Sequence, residues 1–180
     1  MNDISSPVCV YEGIEFSIRS WKKGDEESLA YHANNKKIYN NLKDIFPHPY
    51  TIENANFWIE LANSKNPIID FAIVVEKKAI GGIGFIQGED VYRLNMEIGF
   101  WIGEEFWGKG IMTLAVKQFV KWLFENFKVI RIYASVFAFN KGSMRVLEKA
   151  SFSMEGRFKD ALIKDNLIID EYIFSILKSE

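Results

Sequence analysis

Residues that could do chemistry concentrate in Glu97–Val116, EIGFWIGEEFWGKGIMTLAV. The first half alternates as a strand does, with Met96, Ile98, Phe100 and Ile102 on one face. Asn95, Glu97, Gly99, Trp101 and Gly103 lie on the other, so the carboxylate of Glu97 sits next to the bare backbone of Gly99. There it could take a proton directly or through a water, or serve only as a strand carboxylate satisfied by its neighbours. The second half carries Gly108 and Gly110, then falls into helical spacing at Ile111, Leu114, Ala115, Phe119, Trp122 and Leu123. A strand, a glycine-bearing turn and a helix N-terminus make an anion site, because the first N–H groups of a helix are unpaired and its dipole favours negative charge. Glycine lets a phosphate approach that backbone with no Cβ in the way. A second constellation, Asn140–Lys141–Gly142–Ser143, opens another helix and puts Asn140 and Ser143 on one face. On spacing alone, an N-cap Asn and a helix-surface Ser account for it.

The run Glu105–Phe106–Trp107–Gly108–Lys109–Gly110 occupies a Gln/Arg-x-x-Gly-x-Gly/Ala pattern and resembles the acyl-CoA-binding core of the GNAT N-acetyltransferases. The longer phrase EIGFWIGEEFWGKG is similar to the RimJ/RimL-like group, which acetylates ribosomal-protein N-termini and many unrelated amines. FPHPYTIENANFWI, far upstream, resembles the loop and helix that wall the acceptor site in that group. The phrase NKGSMRVLEKASF resembles the family's N-x-x-S-x-x-vLEK-x-GF signature. The resemblance implies acetyl-CoA as cosubstrate, held by Ile102, Gly103, Trp107, Gly108, Lys109, Gly110, Ile111, Met112, Asn140 and Ser143. It also implies that Asn140 contacts the pantetheine arm and that Ser143 lies near the sulfur as the acid. Backbone N–H groups near Ile102 and Gly103 would hold the thioester carbonyl, and Glu97 would be the base.

Three positions depart from the pattern. Glu105 stands where a cation or amide is preferred, which shifts pyrophosphate binding onto backbone amides and Lys109. Leu147 replaces a tyrosine acid that many relatives carry and cannot donate a proton. Ser151 replaces the usual glycine before Phe152.

The elements that must position these residues read as follows. IEFSIRS (14–20) is a strand, and helices are expected over Asp25–Asn34 and Lys36–Leu42. Pro47 and Pro49 make 44–51 a loop. Thr51 caps a helix to about Asn63 with Ile52, Ala55, Ile59 and Ala62 on one face. Ile69–Val75 and Ile80–Ile86 form a hairpin, in which Gly81, Gly82 and Gly84 mark a packed strand rather than a dinucleotide loop. The strand Val91–Ile102 leads to a helix ending near Phe127, and Val129–Phe139 leads to one capped by Asn140 and ending near Lys149. Ser151–Lys159 and Leu167–Leu177 close the sheet, joined by a connection through Ala161–Asn166. This order matches the GNAT fold, an α/β (α+β) arrangement with a mixed, mostly antiparallel sheet of about seven strands and helices on both faces. Residues 1–13 are expected to be an N-terminal extension to a single domain over 14–180.

Composition narrows the classes. With 48% hydrophobic residues in 180, one well-cored domain is expected. The 22 basic and 24 acidic residues nearly cancel, which argues for no nucleic-acid or membrane partner. Cys9 is the only cysteine, so an intrachain disulfide and a CxxC metal site are impossible. His32 and His48 have no metal-motif spacing and are expected at the surface or in a loop. No secretory signal and no apolar run of about 20 residues is found, and a cytoplasmic enzyme is expected. The expected activity is N-acetylation of a primary amine, on a protein N-terminus or a small molecule, by direct attack in a ternary complex. An antibiotic or metabolite acetyltransferase and a catalytically inactive CoA-binding module are the rival readings. The Ile- and Phe-rich final strands could pair across a homodimer or fill the core.

Overall fold

The strand β3 (Asp70–Val75, DFAIVV) shows why the sheet is covered on two sides. Phe71 and Ile73 are buried in one cluster and Ala72 and Val74 in another, as a period of two requires. The computed structural model describes residues 8–178. The other strands are β1 (Cys9–Glu12), β2 (Ser17–Ser20), β4 (Lys78–Gln87), β5 (Asn95–Ile102), β6 (Arg131–Phe137), β7 (Ser153–Lys164) and β8 (Leu167–Leu177). They form one sheet in the order β1-β2-β3-β4-β5-β6-β8-β7. Every neighbouring pair is antiparallel except β5 and β6.

Among the described residues five helices accompany the sheet: α1 (Glu26–Ala33), α2 (Lys36–Tyr39), α3 (Ile52–Ser64), α4 (Ile111–Asn126) and α5 (Lys141–Lys149). The buried faces of α4 (Ile111, Met112, Ala115, Val116, Phe119, Val120, Leu123) and α5 (Met144, Leu147) join Phe71, Ile73, Ile98 and Ile132 in the larger core. On the opposite face α1 and α3 bury Leu29, Ala33, Ala55, Ile59 and Ala62 against Ala72, Val74 and Ala79. Thr51 and Asn54 make a reciprocal capping box at the start of α3. No helix among the described residues is long and apolar enough to cross a membrane.

Among the described residues the sheet has eight strands, one more than the approximate seven expected. The additional one, β1, comes from residues expected to be an extension and pairs with β2; residues 1–7 of that extension lie outside the described residues. The strand expected over 91–102 begins at Asn95, after a 3-10 turn at Asp90–Tyr92. β7 continues to Lys164, so the connection expected over Ala161–Asn166 is a two-residue turn, with Asp165 and Asn166 at φ 48° and 64°. The glycines of β4 are packing positions, because a Cβ on Gly81 would stand 2.4 Å from the carbonyl oxygen of Trp101. Of the apolar residues in β8, Phe174 is core and Ile168 is exposed.

Candidate active site

A parallel pair needs a crossover, and here both crossovers carry helices on the same face. β5 feeds α4 and β6 feeds α5, so the two helix N-termini open at the same end of the pair. β5 and β6 are joined only at Asn95–Arg131, Met96–Ile132 and Glu97–Tyr133. Beyond that point β5 stays on β4 and β6 stays on β8, and the sheet splits. Glu97 and Tyr133 stand at the vertex of the split.

The antiparallel ladder settles which backbone groups face the gap. The N–H of Gly103 donates to the carbonyl of Ile80 at 2.8 Å. Because such ladders alternate, the N–H groups of Phe100 and Ile102 point away from β4, toward the split. Gly103 therefore has no N–H to offer there, whereas Phe100, which the sequence reading passed over, has one. The carbonyl of Ile102 accepts the indole N–H of Trp107 at 2.8 Å, which pins the turn to the strand end.

At the far side of that turn Gly108 and Gly110 have φ of 73° and 84°, and a Cβ at either would meet nothing within 4 Å. Gly110 precedes α4 with no side-chain cap, so the first N–H groups of the helix stay available. Lys109 lies over the ring of Phe106, 5.2 Å from its centroid. The side chains of Ile111 and Met112 turn into the core, which leaves these two residues only their backbone to offer. The corner fits a pyrophosphate on three counts: open space, orphan donors and an adjacent cation.

The two acids of the turn are held away from it. Glu104 accepts from Asn35 Nδ2 at 2.8 Å and from Lys37, and these bonds hold its carboxyl below the usual range. The carboxylate of Glu105 lies 3.7 Å from His32 Nδ1. His32 is a correction to the sequence reading: it is buried on α1, edge-on to Phe106, and a Cβ on Gly103 would come within 2.6 Å of its Nδ1. The signal was present, since Leu29, His32 and Ala33 share the inner face of a helix. His48 does lie in the exposed 44–51 loop, against the ring of Tyr39.

Glu97 is a quarter exposed and faces away from α4, toward the open side of the split. Lys43 Nζ lies 3.7 Å from its Oε1. Tyr133, its neighbour across the parallel register, has a raised pKa through burial first and then the charge of Glu97. Asn140 caps α5, with Oδ1 accepting from the N–H of Ser143 at 3.0 Å. Ser143 is half-buried in the first turn of that helix. Glu97 and Ser143 are not neighbours; they approach the split from opposite faces of the sheet. Leu147 is fully buried, as an apolar residue on that helix face should be.

The open side is walled by two elements. The β7–β8 turn reaches α2 and the 44–51 loop through Lys164–Asp44 (2.6 Å), Lys36–Asp165 (3.3 Å) and Tyr39–Asp165 (3.4 Å). Lys164 itself is buried over the Tyr39 ring.

Fold and site together define a coenzyme-binding α/β domain organised on a split parallel strand pair. The Acetyltransferase (GNAT) domain model matches residues 16–153, and the chain belongs to that family. An uncharacterized N-acetyltransferase of Bacillus licheniformis is 35% identical over 112 residues, 61% of this chain and 62% of that protein. The match thus spans about three-fifths of the length of this curated relative. Among solved structures, RimL, a ribosomal L7/L12 alpha-N-protein acetyltransferase in complex with coenzyme A, is 16% identical with a TM-score of 0.83, over 94% of this chain and 98% of that one. The microcin C7 self-immunity acetyltransferase MccE, in complex with acetyl-CoA and AMP, is 23% identical with a TM-score of 0.81, over 92% and 94%. At these identities the two structures speak to the fold.

Proposed function

We propose that the chain is an acetyl-CoA-dependent N-acetyltransferase of the RimJ/RimL-like kind, acting in the cytoplasm on a primary amine. The observation that carries this reading is the split between β5 and β6, with a carboxylate at its vertex and an uncapped, glycine-led helix at its open end. Acetyl-CoA, when bound, supplies an acetyl group activated as a thioester. The amides of Ile111 and Met112 and the ammonium of Lys109 hold the pyrophosphate, and Trp107, Gly108 and Gly110 shape the turn around it. Asn140 Nδ2 donates to the pantetheine arm. The N–H groups of Phe100 and Ile102 stabilise negative charge on the carbonyl oxygen as it develops.

An alkyl ammonium has a pKa of about 10.4 and must lose a proton before it attacks. Glu97 takes that proton, directly or through a water, and passes it to solvent. Ser143 relays the second proton of the attacking amine to the departing sulfur, so that its hydroxyl ends as it began. Attack is direct in a ternary complex: the one thiol of the sequence, Cys9, lies on β1 at the edge of the sheet, away from the vertex, and is in no position to carry the acetyl group. The acceptor is a protein N-terminus or a small-molecule amine, entering on the Glu97 side of the sheet beside the wall that the 44–51 loop and the β7–β8 turn form together.

The test is thiol release from acetyl-CoA against a panel of peptides and small amines. Glu97→Gln, which keeps the shape and removes the base, should lower kcat/KM by about 10²-fold or more. Unchanged turnover would remove Glu97 from the mechanism. Binding of coenzyme A with no thiol release on any amine would make the chain a binding module instead.

A further inference from the structure

One amine is already at the vertex. Lys43 Nζ lies 3.7 Å from Glu97 Oε1, and 70% of the Lys43 side chain is exposed. The other lysines around this wall are engaged elsewhere: Lys36 with Asp165, Lys37 with Glu104, and Lys164 with Asp44. Lys43 is also placed by its neighbour. Asp44 bonds the buried ammonium of Lys164 at 2.6 Å, so the chain is anchored one residue from Lys43 while the Lys43 side chain itself lies exposed beside Glu97. Glu97 faces the side from which an acceptor would come. A primary amine tethered next to the base of an amine acetyltransferase stands where a substrate amine would stand.

We propose that Lys43 is a self-acetylation site, modified within its own chain from bound acetyl-CoA; this rests on the acetyl-transfer reading above. The bond formed is Nζ to the acetyl carbon, and the bond broken is carbon to sulfur. Two protons leave the ammonium: one passes through Glu97 to solvent, and the other ends on the sulfur of released coenzyme A. The tether replaces a second-order encounter by a first-order one, which is a large gain when geometry is favourable. The product has no charge at position 43 and no ion pair with Glu97.

The experiment is peptide mass spectrometry of the full chain incubated with acetyl-CoA carrying a heavy-isotope acetyl group, alongside thiol release on a small amine by the same preparation. Lys43 should take up label at a rate independent of protein concentration. It should do so at least about tenfold faster than Lys36 and Lys37, which are exposed but paired elsewhere. Glu97→Gln should remove that excess, and Lys43→Arg should leave no other lysine labelled in its place. Label on Lys43 no faster than on Lys36 and Lys37, or unaffected by Glu97→Gln, would overturn the proposal as non-enzymatic acetylation. A rate proportional to protein concentration would overturn it as transfer between chains. An unlabelled Lys43 in a preparation that acetylates the amine defeats self-acetylation alone, whereas silence in both assays defeats the acetyl-transfer reading as well.

Discussion

A histidine packed against Gly103 and Phe106 feels two opposing influences, and they can be separated by titration. Burial lowers the pKa of His32, the carboxylate of Glu105 raises it, and Lys78 lowers it again. Burial is the largest, so the folded protein binds this proton more weakly than the unfolded chain, whose imidazole titrates near the reference value of about 6.5. The sign follows from linkage: where the unfolded state binds more protons, stability rises with pH. The contribution of His32 is therefore intact above about pH 6.5 and is lost as pH falls through and below that value. Resolved by NMR, the His32 midpoint should lie below the reference value and should fall further in Glu105→Gln, which removes the raising influence. A midpoint that rose in that variant would show that Glu105 does not pair with His32. The same pair bears on the anomaly of an acid in a turn proposed to bind phosphate. Glu105 is drawn toward α1, and Glu104 toward Asn35 and Lys37, so neither carboxylate lies over the open corner at Gly108 and Gly110.

Among the elements, the end of α5 is the clearest case of local strain. Ser151 has φ of 69°, and around it the N–H of Phe152 donates to Leu147 and that of Ser151 to Glu148. This is the Schellman pattern, with Leu147 and Phe152 meeting in the core, and its left-handed position favours glycine. Ser151→Gly should stabilise the protein by about 1 kcal/mol, since relief of a left-handed Cβ slightly exceeds the entropy that glycine costs. For a chain of this size the melting temperature should rise by about 2–4 °C; a fall would mean that the serine side chain contributes more than its strain costs. That turn was legible in the sequence as a departure from a pattern, and the helix starts were legible because Thr51 and Asn140 are capping residues placed just before apolar spacing. The extent of β7 was not. Bulges between Met154 and Gly156 and between Phe158 and Leu162, with Asp160 at φ 52°, break the alternation by which a strand is recognised. β1 was missed because four residues carry little periodicity and its pairing depends on β2. The burial of His32 follows from helix face and not from metal-motif spacing, since it lies with Leu29 and Ala33 on the inner side of α1.

For the whole molecule, the proposed function makes the split sheet and the helix corner parts of one ligand site, though the residues come from segments some forty positions apart. Sequence spacing could locate each part, but the phase of the β4–β5 ladder, which spends the N–H of Gly103 and frees those of Phe100 and Ile102, exists only once the strands pair. Binding at such a site should couple to global stability, because a ligand bound only by the folded state stabilises it by mass action. Coenzyme A at about 100 times its Kd should add about 2.7 kcal/mol. At about 2–4 °C per kcal/mol this is a rise in Tm of about 5–11 °C, readable by calorimetry. The shift should shrink at high salt if charge on Lys109 and the helix end holds the pyrophosphate, since screening weakens exposed pairs most. Gly110→Ala sharpens the test. Its Cβ would enter the open corner from a backbone at φ 84°, which lowers the melting temperature of the free protein and should also reduce the increment that coenzyme A adds. The two effects separate, because strain acts with or without ligand. A variant that melts lower yet gains the full increment from coenzyme A would show that the helix corner is a structural turn and that the phosphates bind elsewhere.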